Sequence, residues 1–229
     1  PERKMTLMSE EKRDLLVFAI FAAAVMLVPL VFRGSYLINV FVFVGIHTML
    51  AVGLNLLLGF AGQISLGHAA FYGLGAYISG VLTTAYAINP WVAMIVSAVS
   101  VTALAFAIGF PILKLKGHYL AMATLGFGII MYICFNETVE LTGGPSGLSG
   151  IPSLSAGGFT FDSDTGNYYL IWGFALLTML LSINLLHSRI GRALRAIHDS
   201  EVAAMVMGVN ARLLKVQIFA ISALISALA

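Results

Sequence analysis

Charge is what this sequence has least of. Lys and Arg number 12 and Asp and Glu 10 in 229 residues, so charged residues make up 10% of the chain, against about 25% in soluble domains. That shortfall is too large for one buried core, and it excludes an ordinary soluble enzyme. Cysteine is nearly absent: Cys134, alone in an apolar run, can form no internal disulfide and reads as a small hydrophobe. No Gly-rich loop ends in Gly-Lys-Ser/Thr, so the chain has no means of cradling nucleotide phosphates. No group of His, Cys, Asp or Glu has metal-ligand spacing. No acidic or basic residue falls at the centre of an apolar block, where ion- and proton-coupled pumps usually place carboxylates.

What is present is apolar residues, 60% of the total, gathered into long blocks rather than alternating or forming one amphipathic stripe. Blocks of about 18 or more are what a hydrocarbon layer of ~30 Å demands of a helix. The expected fold is therefore all-α, a polytopic transmembrane helical bundle. Seven segments can be drawn, near 15–32, 37–60, 66–87, 91–113, 118–135, 169–186 and 213–229. The charged segment 1–14 precedes them, and 15–229 forms the membrane domain. The first block lacks a small-residue cleavage site and reads as an anchor rather than a removed signal peptide. Pro1 is not a start residue and the last block stops at Ala229, so the sequence reads as a piece of a longer chain.

Orientation follows from the basic residues, which concentrate in cytoplasmic loops. With the N-terminus inside, carrying Arg3, Lys4, Lys12 and Arg13, seven crossings bring Lys114, Lys116, Arg189, Arg192, Arg195, Arg212 and Lys215 inside as well; Arg33 alone falls outside. The long loop 136–168 then lies outside, with Glu137, Glu140, Asp162 and Asp164 but no Lys or Arg. The Gly-rich stretch Ala61–Gly67 is either a short cytoplasmic turn or a helix break held within the membrane, where protein or a water-filled cavity must satisfy its backbone.

Polar residues cluster in the second and third segments. Thr48, Ala51, Asn55 and Gly59 share one helix face by spacing, and Gly75 with Ser79 forms a small-xxx-small pair that suits close helix contact. These residues either pack helices together or, as Asn55, Gln63, Ser65, His68 and Tyr72, line a translocation path. His47 is expected to find its partner on a neighbouring helix. Lys114 and Lys116 are expected to anchor at the inner interface. The inner loop 187–212 holds a short helix that Asp199 or Ser200 can cap and Gly208 or Asn210 can end. Ala203, Ala204, Met207 and Gly208 are expected to give it a small apolar face, a shape that suits a soluble partner.

Four collinear blocks carry a family resemblance. They are GLNLLLGFAGQISLGHAAFYGLGAYISG at Gly53–Gly80, KGHYLAMATLGFG at Lys116–Gly128, LTGGPSGLSGIP at Leu141–Pro152 and SRIGRALRAIHDSEVAAMVMGVN at Ser188–Asn210. Together they resemble the permease subunits of branched-chain amino-acid ABC importers, of the M type. The resemblance implies a second, H-type permease, two ATP-binding subunits, an extracytoplasmic binding protein, and residence in a bacterial or archaeal cytoplasmic membrane; it implies no cofactor and no nucleic acid. It assigns coupling to the ATPase to Arg189, Gly191, Arg192, Arg195, Asp199, Glu201, Ala203, Ala204 and Gly208. Docking of the binding protein falls to Gly143, Gly144, Ser146 and Gly147. Glu201–Gly208 departs from the EAA-x3-G signature of ABC importers by the inserted Val202, which leaves the contacts of Glu201 open.

Three other readings compete. One is a permease for a related amide or urea. Another is a secondary transporter working alone, which inverted repeats would support, though the halves show no convincing self-similarity. The third is an intramembrane serine protease of the rhomboid type, on the strength of Gly144-Pro-Ser-Gly147.

Overall fold

The computed structural model describes residues 2–32, 34–156, 159–160 and 163–229. Arg33 and Asp162 lie outside the described residues, as do the side chains of 2–12, with Arg3, Lys4 and Lys12 among them.

Ten helices form the described chain: α1 (Glu2–Val31), α2 (Ser35–Asn55), α3 (His68–Thr84), α4 (Pro90–Ile112), α5 (His118–Glu137), α6 (Val139–Thr142), α7 (Asp164–His187), α8 (Arg189–Asp199), α9 (Glu201–Val206) and α10 (Ala211–Leu228). Six of them are long and apolar enough to cross a membrane, α2 being counted together with its π-helical end. α3 is apolar too, but has 17 residues, close to the minimum for a span. A two-residue antiparallel ladder, Ser155 opposite Thr160 and Ala156 opposite Phe159, is the only strand pairing among the described residues.

The boundaries have local causes. Asn89 accepts from the Trp91 N–H at 2.9 Å and Pro90 opens α4, a cap followed by a residue that needs no donor. Ser163, Ser200 and Asn210 cap α7, α9 and α10 in the same way. After α9, the Val209 N–H reaches the Ala204 carbonyl and the Gly208 N–H reaches that of Met205, both at 3.0 Å. With Gly208 at φ +84° this is a Schellman ending, which needs a left-handed residue and so favours glycine. Sequence spacing left the cap of α9 between Asp199 and Ser200; Ser200 does it, and Asp199 closes α8.

α10 is the central post. Its small residues Ala220, Ser222, Ala223 and Ser226 are buried and let neighbours approach: a Cβ on Gly75 of α3 would lie 2.7 Å from the Ala227 Cα. The Gly75 carbonyl also accepts from Ser97 Oγ of α4 at 2.8 Å. Ser79 bonds only within its own helix, so Gly75 alone of the expected pair makes the close contact. On the other flank, buried Tyr168 and Trp172 of α7 donate to the Val25 and Phe41 carbonyls, tying α7 to α1 and α2.

Between α2 and α3 the helix breaks. α2 widens into a π-turn at Leu56–Phe60, and residues 62–67 are non-helical. The stretch begins against α8, where a Cβ on Gly62 would meet His198 Nδ1 at 3.0 Å. It ends against the interior of α5: the Leu66 N–H donates to Thr124 Oγ1 at 3.0 Å, and Gly67 lies directly on the Thr124 carbonyl. Thr124 is six residues into α5, about 9 Å along it. The non-helical backbone therefore runs along protein, the condition under which such backbone survives at membrane depth. α3 consequently starts at His68, two residues later than the apolar block that foreshadows it.

Candidate functional site

The loop between α7 and α10 starts directly at the end of α7. α8 turns back under it, so closely that a Cβ on Gly191 would run into the Leu186 carbonyl. Arg195 Nη2 donates to that same carbonyl at 2.8 Å, and Arg192 Nη1 donates to the His187 carbonyl at 3.2 Å. These two arginines thus satisfy the free carbonyls of a helix end and complement its dipole. Arg189 and Asp199 are exposed. Leu194 and Ile197 face inward, the inner side of a strongly amphipathic helix.

α9 is held from within. Glu201 Oε2 meets Lys215 Nζ of α10 at 2.9 Å and Lys116 Nζ of the α4–α5 turn at 3.1 Å. The Lys215 ammonium, and Lys116 with it, holds the Glu201 carboxyl below its ordinary 4.5, while partial burial works the other way. Lys116 thus ties the α4–α5 turn to α9. Glu201 itself faces the protein, while the inserted Val202 stands outward at 67% exposure.

The free face of α9 keeps Ala203, Met207 and Gly208 of the expected four but not Ala204. Ala204 is buried against Ile197 and Ala211, so it belongs to the inner side. Outward stand Val202 at 67% exposure, Met205 at 50%, Val206 at 82% and Met207 at 83%, with Ala203 and Gly208 beside them. A helix this short has no periodicity long enough to separate its two sides; Met207 was expected on this face, whereas Val202, Met205 and Val206 were not.

The five path residues do not share one cavity. Asn55 is exposed on the face of α2 that also carries His47, Ala51 and Gly59. His47 bonds the Phe43 carbonyl of its own helix at 2.8 Å, not a neighbouring helix. Gln63, Ser65 and His68 are turned into the protein, each under 9% exposed. His68 Nε2 meets Ser226 Oγ of α10 at 2.6 Å, and Ser222 Oγ donates to the Gly53 carbonyl at 2.6 Å. The side-chain polar atoms of Gln63 and Ser65, and Nδ1 of His68, have no partner among the described residues. Tyr72 lines a separate cavity of about 340 Å³ with Ser79, Thr83, Met94 and Ile151.

In the loop between α5 and α7, Thr142 Oγ1 donates to the Phe135 carbonyl at 2.6 Å and accepts from the Gly144 N–H at 3.2 Å. Gly143, Gly144 and Gly147 all have positive φ and shape the turn. Pro145 and Ser146 are exposed at its tip. Ser146 sits in a 3-10 turn of this loop, not at the start of a membrane helix as the protease reading requires. Leu148 and Ile151 fold back over Gly80 of α3.

The matching family model, branched-chain amino acid transport system / permease component, covers residues 36–229. The chain is 33% identical to the high-affinity branched-chain amino acid transport system permease protein LivM of Escherichia coli K12, over 94% of this chain and 56% of that protein. It is 32% identical to LivM of Salmonella typhimurium, with the same coverage. LivH of Escherichia coli K12 is 26% identical over 80% of this chain and 64% of its own length. The chain thus spans little more than half the length of the LivM relatives. No solved structure matches it.

Proposed function

The chain belongs to the branched-chain amino acid transport system permease component family, and from that premise we propose that it is a membrane-spanning subunit of an ATP-driven importer of Leu, Ile and Val. It pairs with a second, H-type permease, receives substrate from an extracytoplasmic binding protein, and is driven by two ATP-binding subunits. Its membrane is a bacterial or archaeal cytoplasmic membrane, and its N-terminus is cytoplasmic.

The observation that carries this reading is the α9 corner. Four large apolar side chains, three on the six-residue α9 and Met207 just after it, stand free, while the other side of the helix is fastened by Glu201 to α10 and to the α4–α5 turn. An exposed apolar cluster on an otherwise polar inner loop favours a protein partner, and a rigid mount lets a partner's movement reach the bundle. Since the chain has no phosphate-binding loop, the energy arrives through such a contact, and the chain does no covalent chemistry. Movement of α8 and α9 acts first on Gly62, which lies against His198, and on α10 through Lys215. Both lead to the break before α3 and to the His68–Ser226 contact. The two packings of that region correspond to paths open to opposite sides.

The polar face of α2, with Thr48 and Asn55, looks out of the subunit. Polar groups on a membrane helix are retained where another helix or a water-filled path meets them, so this face suits a path shared with the second permease. Neutral hydrogen-bonding groups beside apolar walls accommodate a zwitterion with a branched side chain without holding either charge too tightly for release. The test is leucine uptake by proteoliposomes containing the full-length subunits. Uptake that needs both ATP and the binding protein supports the reading, whereas uptake by this chain alone without ATP supports a stand-alone transporter.

A further inference from the structure

A cavity of about 270 Å³ lies between the α4–α5 turn, the non-helical stretch and the α8–α9 corner. It is separate from the outward face of α2. Its walls are of two kinds. Ala61, Leu113, Leu120 and Ile197 are buried aliphatic side chains, each under 9% exposed. Lys116, Lys215 and Glu201 bring both signs of charge to the same space.

Gln63 decides what such a space is for. It lines the cavity, is 3% exposed, and neither its Nε2 nor its Oε1 has a partner among the described residues. A buried amide with both ends unpaired is costly, so the site is complete only when something brings it an acceptor and a donor together. We propose that this cavity binds one zwitterionic α-amino acid with an aliphatic side chain, taken from the side of the coupling segment. Both amide atoms of Gln63 are closed off from the cavity as they stand, so its side chain turns on binding; the carboxylate then faces the lysines and the Gln63 NH₂. The ammonium faces Glu201 and the Gln63 carbonyl, and the side chain lies on Leu113, Leu120 and Ile197. The volume falls below the roughly 300–1,000 Å³ of drug-sized sites, which suits a single amino acid and not a peptide.

The inference rests on the importer reading: the ligand is the released product. Bound there, it joins α9, α10 and the break before α3 in one arrangement. Accumulated product thereby stabilises the undriven packing and slows the next cycle, a coupling that is reciprocal between ligand and conformation.

The experiment uses the assembled transporter with the full-length chain in lipid nanodiscs, without nucleotide or binding protein, and tritiated leucine as the probe. Saturable binding is expected, competed by isoleucine and valine but not by N-acetyl-leucine or leucinamide, each of which lacks one charge. Gln63→Met is expected to weaken it by about tenfold or more, and Leu120→Trp to abolish it by filling the cavity. Co-elution with the partner subunits shows that each variant is assembled, and Gln63→Met decides the matter if Leu120→Trp is not. No saturable binding, or equal binding by wild type and Gln63→Met, overturns the site. ATP-driven uptake is measured on the same preparation. Uptake without this binding sinks the cytoplasmic-side site alone, while absence of uptake sinks the importer reading whatever the cavity holds.

Discussion

Glu201 and Lys215 meet at 2.9 Å and join α9 to α10. Lys116 completes the tie at 3.1 Å, from a side chain that is 71% exposed. The two contacts are unequal. Lys215 is 15% exposed and Glu201 25%, so their pair is poorly screened and carries most of the strength. Glu201→Gln keeps the shape and removes the charge. Its expected cost is about 1–2 kcal/mol, between the values for exposed and buried pairs. A double-mutant cycle with Lys215→Met, read by thermal melting, should show coupling between the two sites, and additive effects would mean the contact is incidental.

The same pair has a pH signature. A carboxyl whose folded pKa is depressed contributes stability that is fully present above its unfolded value, near 4.5. That contribution is lost as the pH falls through the lowered folded value. Wild type and Glu201→Gln should therefore differ by a constant margin at neutral pH and converge on acidification below about 4.5. Melting curves across that range check this; a margin that persists at the acid end would assign the difference to packing.

The buried bond between His68 and Ser226 should be just as open to test. Ser226→Ala leaves His68 Nε2 without its only hydrogen-bond partner among the described residues, in a site where its Nδ1 is already unpaired. The expected loss is about 1–3 kcal/mol, together with reduced uptake, because the bond holds the start of α3 to α10. Ser222→Ala removes the neighbouring bond to the Gly53 carbonyl and is expected to act in the same direction. Unchanged melting and uptake in both variants would remove this region from the mechanism.

Two glycines of neighbouring segments make a paired control. At Gly67 an added Cβ runs into the Thr124 carbonyl, whereas at Gly126 it meets nothing within 4 Å. Gly67→Ala should destabilise by about 1–3 kcal/mol, as overpacking does, while Gly126→Ala should be neutral or slightly stabilising. Equal yields and melting temperatures for the two would contradict the close packing of the break on α5.

Much of the architecture was legible before any coordinates. Long apolar blocks marked the helices, and the end of α9 was narrowed to Gly208 or Asn210, of which Gly208 closes it. The inner face of α8 was legible in principle as well, since Gly191, Leu194 and Ile197 recur at helical spacing among charged residues. The directions of α2 and α9 were not. The spacing of Ala51, Asn55 and Gly59 marked a face of α2 but not its direction, since the lipid-facing and protein-facing sides of a membrane helix are equally apolar. Gln63 and Ser65 lie in the non-helical stretch 62–67, where no helical period reports which way they turn. Glu201 was hidden for another reason: its partners Lys116 and Lys215 are far away in sequence, and both also serve the topology signal. The Gly-rich stretch 61–67 announced an irregularity, but its path along Thr124 depends on tertiary packing.

The central claim is that α9 is the handle by which an ATP-binding subunit drives this permease. The most direct measurement is co-purification of full-length protein from its own membranes in mild detergent. Wild type is compared with a variant carrying Val206→Ser and Met207→Ser, and with one whose Asp199–Gly208 segment is a Gly/Ser linker. Both substituted side chains are more than 80% exposed and support nothing within the chain, so folding should be unaffected in the first variant. The account predicts that an ATP-binding subunit accompanies the wild type, is markedly depleted with the double variant, and is lost with the linker. Retention of the ATPase by a well-folded linker variant, or its absence from the wild type, would contradict it.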